Sequence, residues 1–323
     1  MKIQSMKLFK ICKKRQKMKE KSMFKEKLVD HYINKSIELS NNYLNKQAIN
    51  KINKILIFTN NIEALSFKGL YYSYLFEKEK CYECFDKIFK YNPQSIIGYY
   101  RKGLANMQLN EYEHAITYFK EILCIDSNHI LTLNFIGICY QNLKKYDLAL
   151  EYFNEILKKN PNDINTLINL GSCYNDLEQY NDSIFCLNKC LNINSNETRA
   201  MLEISHVYHD KENYSNALKY INRALKINPN DITLKLSKYL FLAKFNKFEL
   251  SLQGFEEISK IYFDDWQLIN LYYNYYSSAL KTMKKYNEAL NLYNEYLEKY
   301  PNFPNEDILY EKEELLKLIN EKK

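Results

Sequence analysis

The sequence predicts an all-α solenoid, in which helical hairpins of similar length stack one after another. The chain of 323 residues contains only 6 glycines and 5 prolines, which argues against β-sandwiches, β-barrels and glycine-rich nucleotide loops. Four of the glycines are evenly spaced along the chain, at Gly69, Gly103, Gly137 and Gly171. Apolar residues between them recur at the spacing of amphipathic helices, so a repeat of two helices per glycine interval is expected.

Residues 130–163 illustrate one such unit. Leu133, Ile136 and Tyr140 share a face of a first helix, and the segment 147–159 has the same periodicity as a second helix. The stretch 160–163, Asn-Pro-Asn-Asp, ends the second helix and offers a cap for the next one. A single hairpin cannot bury its apolar face, so the units must stack.

Eight units follow one another, with starts near residues 29, 62, 96, 130, 164, 198, 232 and 270. The first unit is degenerate and is anchored only by Ala48, Ile52 and Ile55. The seventh carries a bulky Tyr239 at the glycine position and is followed by four extra residues before the eighth. Together the units form an array over residues 29–303.

The glycine of each unit precedes a small residue by twelve positions, as Gly137 precedes Ala149. We therefore expect the two helices of a hairpin to approach closely there, small residue against small residue. After the array, residues 304–323 place Ile308, Leu315 and Ile319 on one face and charge elsewhere, which is typical of a capping helix.

The excess positive charge lies at one end of the chain. Residues 1–27 hold eleven Lys and Arg and two acidic residues, whereas the other 296 residues hold 35 basic and 37 acidic groups. Residues 1–28 are interpreted as a basic extension, and the favoured interpretation is that it is solvated and unstructured. The cluster 13–19 also fits a nuclear localisation signal or an electrostatic contact with membrane or nucleic acid. Translation from Met18 or Met23 is a further alternative.

The repeating pattern resembles the tetratricopeptide repeat over about residues 29–303. In the fourth unit the residues that carry this resemblance are Ile136, Gly137, Tyr140, Tyr146, Ala149, Phe153 and Pro161. The resemblance implies a right-handed α-solenoid of about eight units with a capping helix. It also implies a concave groove, lined by the first helices, that binds an extended peptide or a helix of a protein partner.

By the resemblance, the groove positions are the second, fifth, sixth, ninth and twelfth of each unit. The candidate partner-binding residues there are Tyr100, Arg101, Asn134, Asn165, Asn169, Asn175, Arg199, His206 and His209. Asparagine amides can both donate to and accept from a peptide backbone, although asparagine is abundant throughout this chain. Tyr100 and Arg101 are the expected energetic anchors.

A chaperone-tail clamp, another property of the family, is not expected. Its slots require Lys and Asn, but three of those positions hold Ser66, Leu131 and Phe135.

Other constellations favour packing over chemistry. Cys81 and Cys84 have metal-ligand spacing, but Cys81 occupies a small-residue position and no second pair or histidine lies at a suitable distance. His206 and His209 lack a third ligand, so no metal and no cofactor are predicted. The sequence contains no catalytic triad, paired-carboxylate pocket or phosphate-binding loop, and a non-enzyme is expected.

Three functions fit these features. The preferred one is a non-catalytic scaffold that binds a protein partner in the groove. The alternatives are a nucleic-acid-associated protein that uses its basic extension, and the recruiting arm of a multi-subunit enzyme such as a glycosyltransferase. Because no secretory segment or transmembrane run is recognisable, a cytoplasmic location is expected, or a nuclear one if the 13–19 cluster is a signal.

Overall fold

The computed structural model describes residues 25–303 and 306–320 of the chain. Over these residues the regular elements are helices, arranged as eight antiparallel hairpins and a final helix that together form an α-solenoid. The first unit pairs α1 (25–41) with α2 (Asn45–Leu56). The other helices are α3 (Ile62–Tyr74), α4 (Lys78–Tyr91), α5 (Ile96–Gln108), α6 (Tyr112–Ile125), α7 (Ile130–Asn142), α8 (Tyr146–Lys159), α9 (Ile164–Asp176), α10 (Tyr180–Ile193), α11 (Thr198–Asp210), α12 (Tyr214–Ile227), α13 (Ile232–Lys244), α14 (Phe248–Ser259), α15 (Trp266–Thr282), α16 (Tyr286–Lys299) and α17 (Glu306–Asn320).

The two ends of the array differ. Of the predicted extension, residues 1–24 lie outside the described residues, and residues 25–28 form the first turn of α1. This helix packs Val29, Tyr32 and the buried Ile33 into the first core. At the other end α17 buries Ile308 and Leu315 against the last hairpin.

Every hairpin turns through one residue in the left-handed region. These residues have φ between 54° and 61° and are Tyr43, Phe76, Asn110, Lys144, Glu178, Glu212, Asn246 and Lys284. In the fourth unit the backbone N–H of Lys145 donates to the carbonyl of Tyr140 at 2.9 Å, which closes the end of the first helix. Because the turn is the same in each unit, the hairpins have nearly the same shape and can stack regularly.

First helices begin at caps that keep the spacing of the glycines. In six of them the side chain before the helix accepts from the backbone N–H three residues later, and these caps are Asn61, Ser95, His129, Asp163, Asp231 and Asp265. Since Asp265 is in phase, α15 begins at Trp266 rather than near 270. The four extra residues therefore lengthen α15 to 17 residues, whereas α13 has 13.

The glycines pack against large side chains of the second helix. A Cβ added to Gly137 would lie 2.5 Å from the ring of Phe153, and one added to Gly103 would lie 2.5 Å from Phe119. The sequence analysis expected each glycine to face the small residue twelve positions later, and this expected partner is wrong. The residue that needs the glycine lies sixteen positions later, four beyond Ala149, because one more helical turn brings its ring under the first helix.

The seventh unit exchanges these roles. Tyr239 occupies the glycine position of α13, and its ring lies over Gly254 of α14, where an added Cβ would be 2.2 Å away. Tyr239 also packs against Phe255 with ring centroids 5.8 Å apart. The close approach of the two helices is thus preserved by moving the glycine to the opposite helix.

The array curves until its two ends touch, along a contact that we call the seam. The backbone N–H of Asp264 donates to the carbonyl of Tyr43 at 3.0 Å. The Asp264 carboxylate accepts from the backbone N–H groups of Asn45 at 2.7 Å and Lys46 at 3.0 Å. Helix α2 has no side-chain cap of its own, so a residue more than two hundred positions away supplies it.

Aromatic packing extends the seam inward. The ring of Trp266, the first residue of α15, lies edge-on to Phe76 with centroids 5.1 Å apart. The side chain of Gln267 donates to the carbonyl of Gln108, at the end of α5, at 3.4 Å. First helices from distant units thus face each other across the interior of the solenoid.

Candidate functional site

The candidate residues lie on first helices, whose facing sides we call the inner surface. Tyr100 and Arg101 belong to α5 and Asn134 to α7. Helix α9 carries Asn165, Asn169 and Asn175, and α11 carries Arg199, His206 and His209. The structure therefore brings them together on four consecutive first helices. Whether they bind a partner remains a prediction.

Asparagines of neighbouring units bond to each other on this surface. Asn169 donates to the Oδ1 of Asn134 at 2.7 Å, and Asn134 donates to the hydroxyl of Thr166 at 3.3 Å. At the starts of α9 and α11, Arg199 donates to the Oδ1 of Asn165 at 3.0 Å. Part of the hydrogen-bonding capacity that the sequence suggested for a partner is therefore used between units.

A second polar row lies nearer the hairpin turns. Asn175 donates to Asp210 at 2.8 Å, and His209 lies 2.9 Å from the other oxygen of the same carboxylate. Partial burial alone would raise the pKa of Asp210, but these bonds and the nearby histidines bring it below its ordinary value. Asp176 accepts from Gln141 at 2.7 Å, yet burial and the charge of Asp210 raise its pKa.

Glu203 is the residue of this surface that the sequence interpretation missed as a site residue. It occupies the sixth position of its unit, which is one of the five groove positions named in the sequence analysis. Its side chain is partly buried, with 27% of its surface exposed. Burial raises the pKa of Glu203 to about 7, opposed by Arg199 and assisted by Asp176 and Asp210.

His206 lies beside Glu203 and is held in its uncharged form. Its Nδ1 is 4.0 Å from the Glu203 carboxylate, and its Nε2 is 3.4 Å from the hydroxyl of Ser237. The ring also packs edge-on against Phe241, with centroids 6.0 Å apart. Burial lowers the pKa of His206 to about 4, so this histidine does not neutralise the acidic groups near pH 7.

The other end of the inner surface is cationic and aromatic. The Arg101 guanidinium lies 3.5 Å from the ring centroid of Phe67, and its Nε is buried without a hydrogen-bond partner. Burial lowers the pKa of Arg101, which nevertheless keeps its charge at neutral pH because an arginine titrates so high. Tyr100 packs edge-on against Phe135 at 5.8 Å. The two expected anchors thus form one amphipathic patch.

The cysteines of the described residues behave as small apolar side chains. Apart from the exposed Cys124, they are buried and unpaired. Burial raises the pKa of Cys139, Cys173 and Cys190 to about 12, so these thiols are not reactive thiolates. Within residues 25–303 and 306–320, no three metal-ligating side chains come together. Over the same residues no helix combines the length and apolarity needed to cross a bilayer.

Comparison with known structures places the fold. A tetratricopeptide repeat protein from Parabacteroides merdae ATCC 43184 is 14% identical, with a TM-score of 0.58 over 76% of this chain and 98% of its own. PilF from Pseudomonas aeruginosa is 17% identical, with a TM-score of 0.45 over 64% of this chain and 92% of its own. At these identities the likeness is evidence for the fold alone. This evidence comes from the Parabacteroides merdae structure, which has the higher TM-score.

Family models identify the repeats themselves. Those described as tetratricopeptide repeat match residues 98–129, 130–163, 164–197, 198–231 and 275–302, about half of the chain. A search among curated proteins finds no significant match. The matched segments cover the hairpins from α5 to α12 and the last hairpin from the middle of α15 onward. The chain therefore belongs to the tetratricopeptide repeat family.

Proposed function

We propose that this protein is a non-catalytic scaffold that binds a segment of a protein partner on its inner surface. The observation that carries the proposal is that this surface keeps polar groups that the protein itself does not satisfy. Arg101 Nε, Asn175 Oδ1 and His209 Nε2 are each buried without a hydrogen-bond partner among the described residues. Because these atoms are enclosed, a bound segment reaches them only when the side chains around them shift, and it then restores hydrogen bonds that they lost with their water.

The arrangement of charge suggests how a partner would be oriented. Arg101 and the aromatic rings around it lie on α5, while Glu203, Asp210 and Asp176 lie two and three units further along. A segment with an acidic or aromatic group at one end and a basic group at the other would match both regions. Opposite charges at two separated positions fix the register of a bound chain more than they raise its affinity.

Affinity purification with mass spectrometry tests the proposal. We compare the full-length protein with a triple variant that carries Arg101→Ala, Asn165→Ala and Arg199→Ala. A pair of substitutions on the exposed side of α8, Glu151→Ala and Lys158→Ala, is the matched control. We expect specific partners of the native protein to be lost from the triple variant and retained by the control, with thermal unfolding showing that both are folded.

Retention of every partner by the triple variant would refute the assignment of the inner surface. The two alternative functions, nucleic-acid association and recruitment for a separate catalytic subunit, remain predictions that the same purification addresses through the identity of the partners. A cytoplasmic location remains part of the proposal.

A further inference from the structure

The seam is held by few hydrogen bonds among the residues that the structure describes. Asp264 supplies three of them, all to residues 43–46 of the first unit. Gln267 adds one of 3.4 Å to the carbonyl of Gln108, which is long for a hydrogen bond. All of these groups lie in turns or at helix ends, so short segments carry the contact.

The apolar part of the seam is small as well. Trp266 meets Phe76 edge-on, and the side chain of Tyr43 packs beside the core of the last units. An interface between neighbouring units is larger, since the core shared by α9, α10 and α11 contains seven buried apolar side chains. Hydrophobic stabilisation scales with the apolar area removed from water, so opening the seam costs less free energy than separating two neighbouring units.

Two buried donors of the seam have no acceptor. The Nδ2 of Asn45 and the Nε1 of Trp266 find no hydrogen-bond partner in the described part of the chain, although these residues are only 0% and 2% exposed. Each donor loses its bonds to water when the seam closes and gains none in return. The closed arrangement therefore carries a penalty that is relieved when water reaches these groups.

A cleft of about 870 Å³ lies across the seam and limits its packing. Lys46 and Phe76 line it on the side of the first two units, and Tyr262 and Lys299 line it on the side of the last two. The two lysines lie on opposite walls, and neither has an acidic partner among the described residues, so their like charges oppose close contact. At the cleft the two sides can therefore separate without losing packed side chains.

The segment that forms the seam departs from the repeat. The loop between α8 and α9 has four residues, Asn-Pro-Asn-Asp, whereas the loop between α14 and α15 has six, Lys-Ile-Tyr-Phe-Asp-Asp. Asp264 belongs to this longer loop, and Trp266 begins the longest of the first helices from α3 onward. A regular seventh unit would lack both residues, so the contact is a specific feature of this chain.

We propose that the seam opens and closes reversibly while the hairpins stay folded. In the closed form Gln267, at the start of α15, contacts the end of α5, so the series of first helices from α5 to α15 returns to its start. The residues of the inner surface lie on α5, α7, α9 and α11, within this series. In the open form a partner segment enters from the side, without being threaded by one end. This consequence rests on the proposed function, whereas the opening itself does not.

Double electron–electron resonance on the full-length protein tests the proposal without any partner. Spin labels at Lys46→Cys and Lys299→Cys report the distance across the seam. Cys12→Ser and Cys124→Ser remove the thiol outside the described residues and the exposed thiol within them. A control pair at Lys120→Cys and Asn154→Cys, in the same background, occupies equivalent exposed positions of two neighbouring units.

We expect two distances for the seam pair, one short and one long, and a single narrow distance for the control pair. Asp264→Ala removes the carboxylate that caps α2, and it should raise the ratio of the long to the short population by roughly fivefold. The control pair should keep its narrow distance in this variant, because the stacking of neighbouring units does not involve Asp264.

A single distance for the seam pair in the native protein, whether short or long, would overturn the proposal. Broadening of the control pair in the Asp264→Ala variant would overturn it too, because the hairpins would then be separating. A long distance that disappears on dilution with unlabelled protein would belong to a second copy of the chain and would have the same effect. Since no partner is present, each of these outcomes is independent of whether the inner surface binds one.

Discussion

Replacing Glu203 by glutamine should stabilise the protein at alkaline pH and have little effect at acidic pH. Burial raises the pKa of this carboxyl from 4.5 to about 7. The folded state therefore holds the proton more tightly than the unfolded state, and stability is lost as the pH rises from about 4.5 to about 7. A shift of this size corresponds to roughly 3 kcal/mol, which is an upper limit because water reaches part of the side chain.

Glutamine preserves the shape of the side chain and removes the charge. We therefore expect Glu203→Gln to raise the free energy of unfolding by roughly 1–3 kcal/mol at pH 8, and by less than about 1 kcal/mol at pH 5, where the native carboxyl is mostly protonated when folded. Urea unfolding, monitored by circular dichroism at several pH values, measures the free energy of unfolding at pH 5 and at pH 8. Loss of the negative charge should also ease the ionisation of Asp176 and Asp210, which strengthens the effect.

The matched control is Glu151→Gln, on the exposed side of α8. It removes the same charge from the chain without relieving a buried carboxylate, so its effect should be small and independent of pH. An equal gain for Glu203→Gln at pH 5 and pH 8 would show that the charge of Glu203 is not penalised in the folded protein. The conclusion that burial raises the pKa of Glu203 would then be incorrect.

Three further predictions concern the fold. Gly137→Ala should destabilise the protein by roughly 1–2 kcal/mol, because contact with Phe153 outweighs the gain in helix propensity; adding Phe153→Leu should restore part of the loss, and a gain for the single variant would contradict the packing. Glu178→Gly should stabilise by roughly 0.5–1 kcal/mol in thermal unfolding, because φ is 59° there, whereas a loss would argue against the left-handed turn. Asp264→Ala should cost roughly 1–2 kcal/mol and speed hydrogen exchange at the amides of Asn45 and Lys46, and unchanged exchange would exclude the seam.

Much of the fold can be predicted because it is local and repeated. The evenly spaced glycines, the Asn, Asp or Ser caps at the same spacing and the amphipathic pair of helices between them each depend on contacts within one unit or between neighbours. The start of α15 could have been placed correctly as well, since Asp265 follows Asp231 at the same spacing as earlier caps. The start of α15 was placed too late because Ser277, at the glycine position, follows Tyr239 by four more residues than usual. Those four residues lie inside α15, after its first residue.

The inner surface could be predicted only in part. The groove rule selected residues that lie on four consecutive first helices, and it also contained Glu203, whose position is as regular as that of His206. Its importance comes from what surrounds it, namely Asp176 on the preceding first helix and Arg199 and Asp210 on its own. Such a shift depends on the enclosed shape of the solenoid, and a pattern read along the chain carries no information about enclosure.

The seam could not be predicted at all, and it changes how the stability of this array should be understood. In an open solenoid each unit contacts only its neighbours, so the stability is nearly a sum of unit and interface contributions. Here Asp264 caps α2 and Trp266 packs on Phe76, so units at opposite ends depend on each other. The contact between the first unit and the start of α15 depends on the way in which all the intervening units stack. A change of angle at any interface between them therefore weakens the seam, and local unfolding at either end exposes the N-terminus of α2 without its cap. For this reason we expect the first and last hairpins, which are the least stable parts of an open array, to exchange their amides together in this protein.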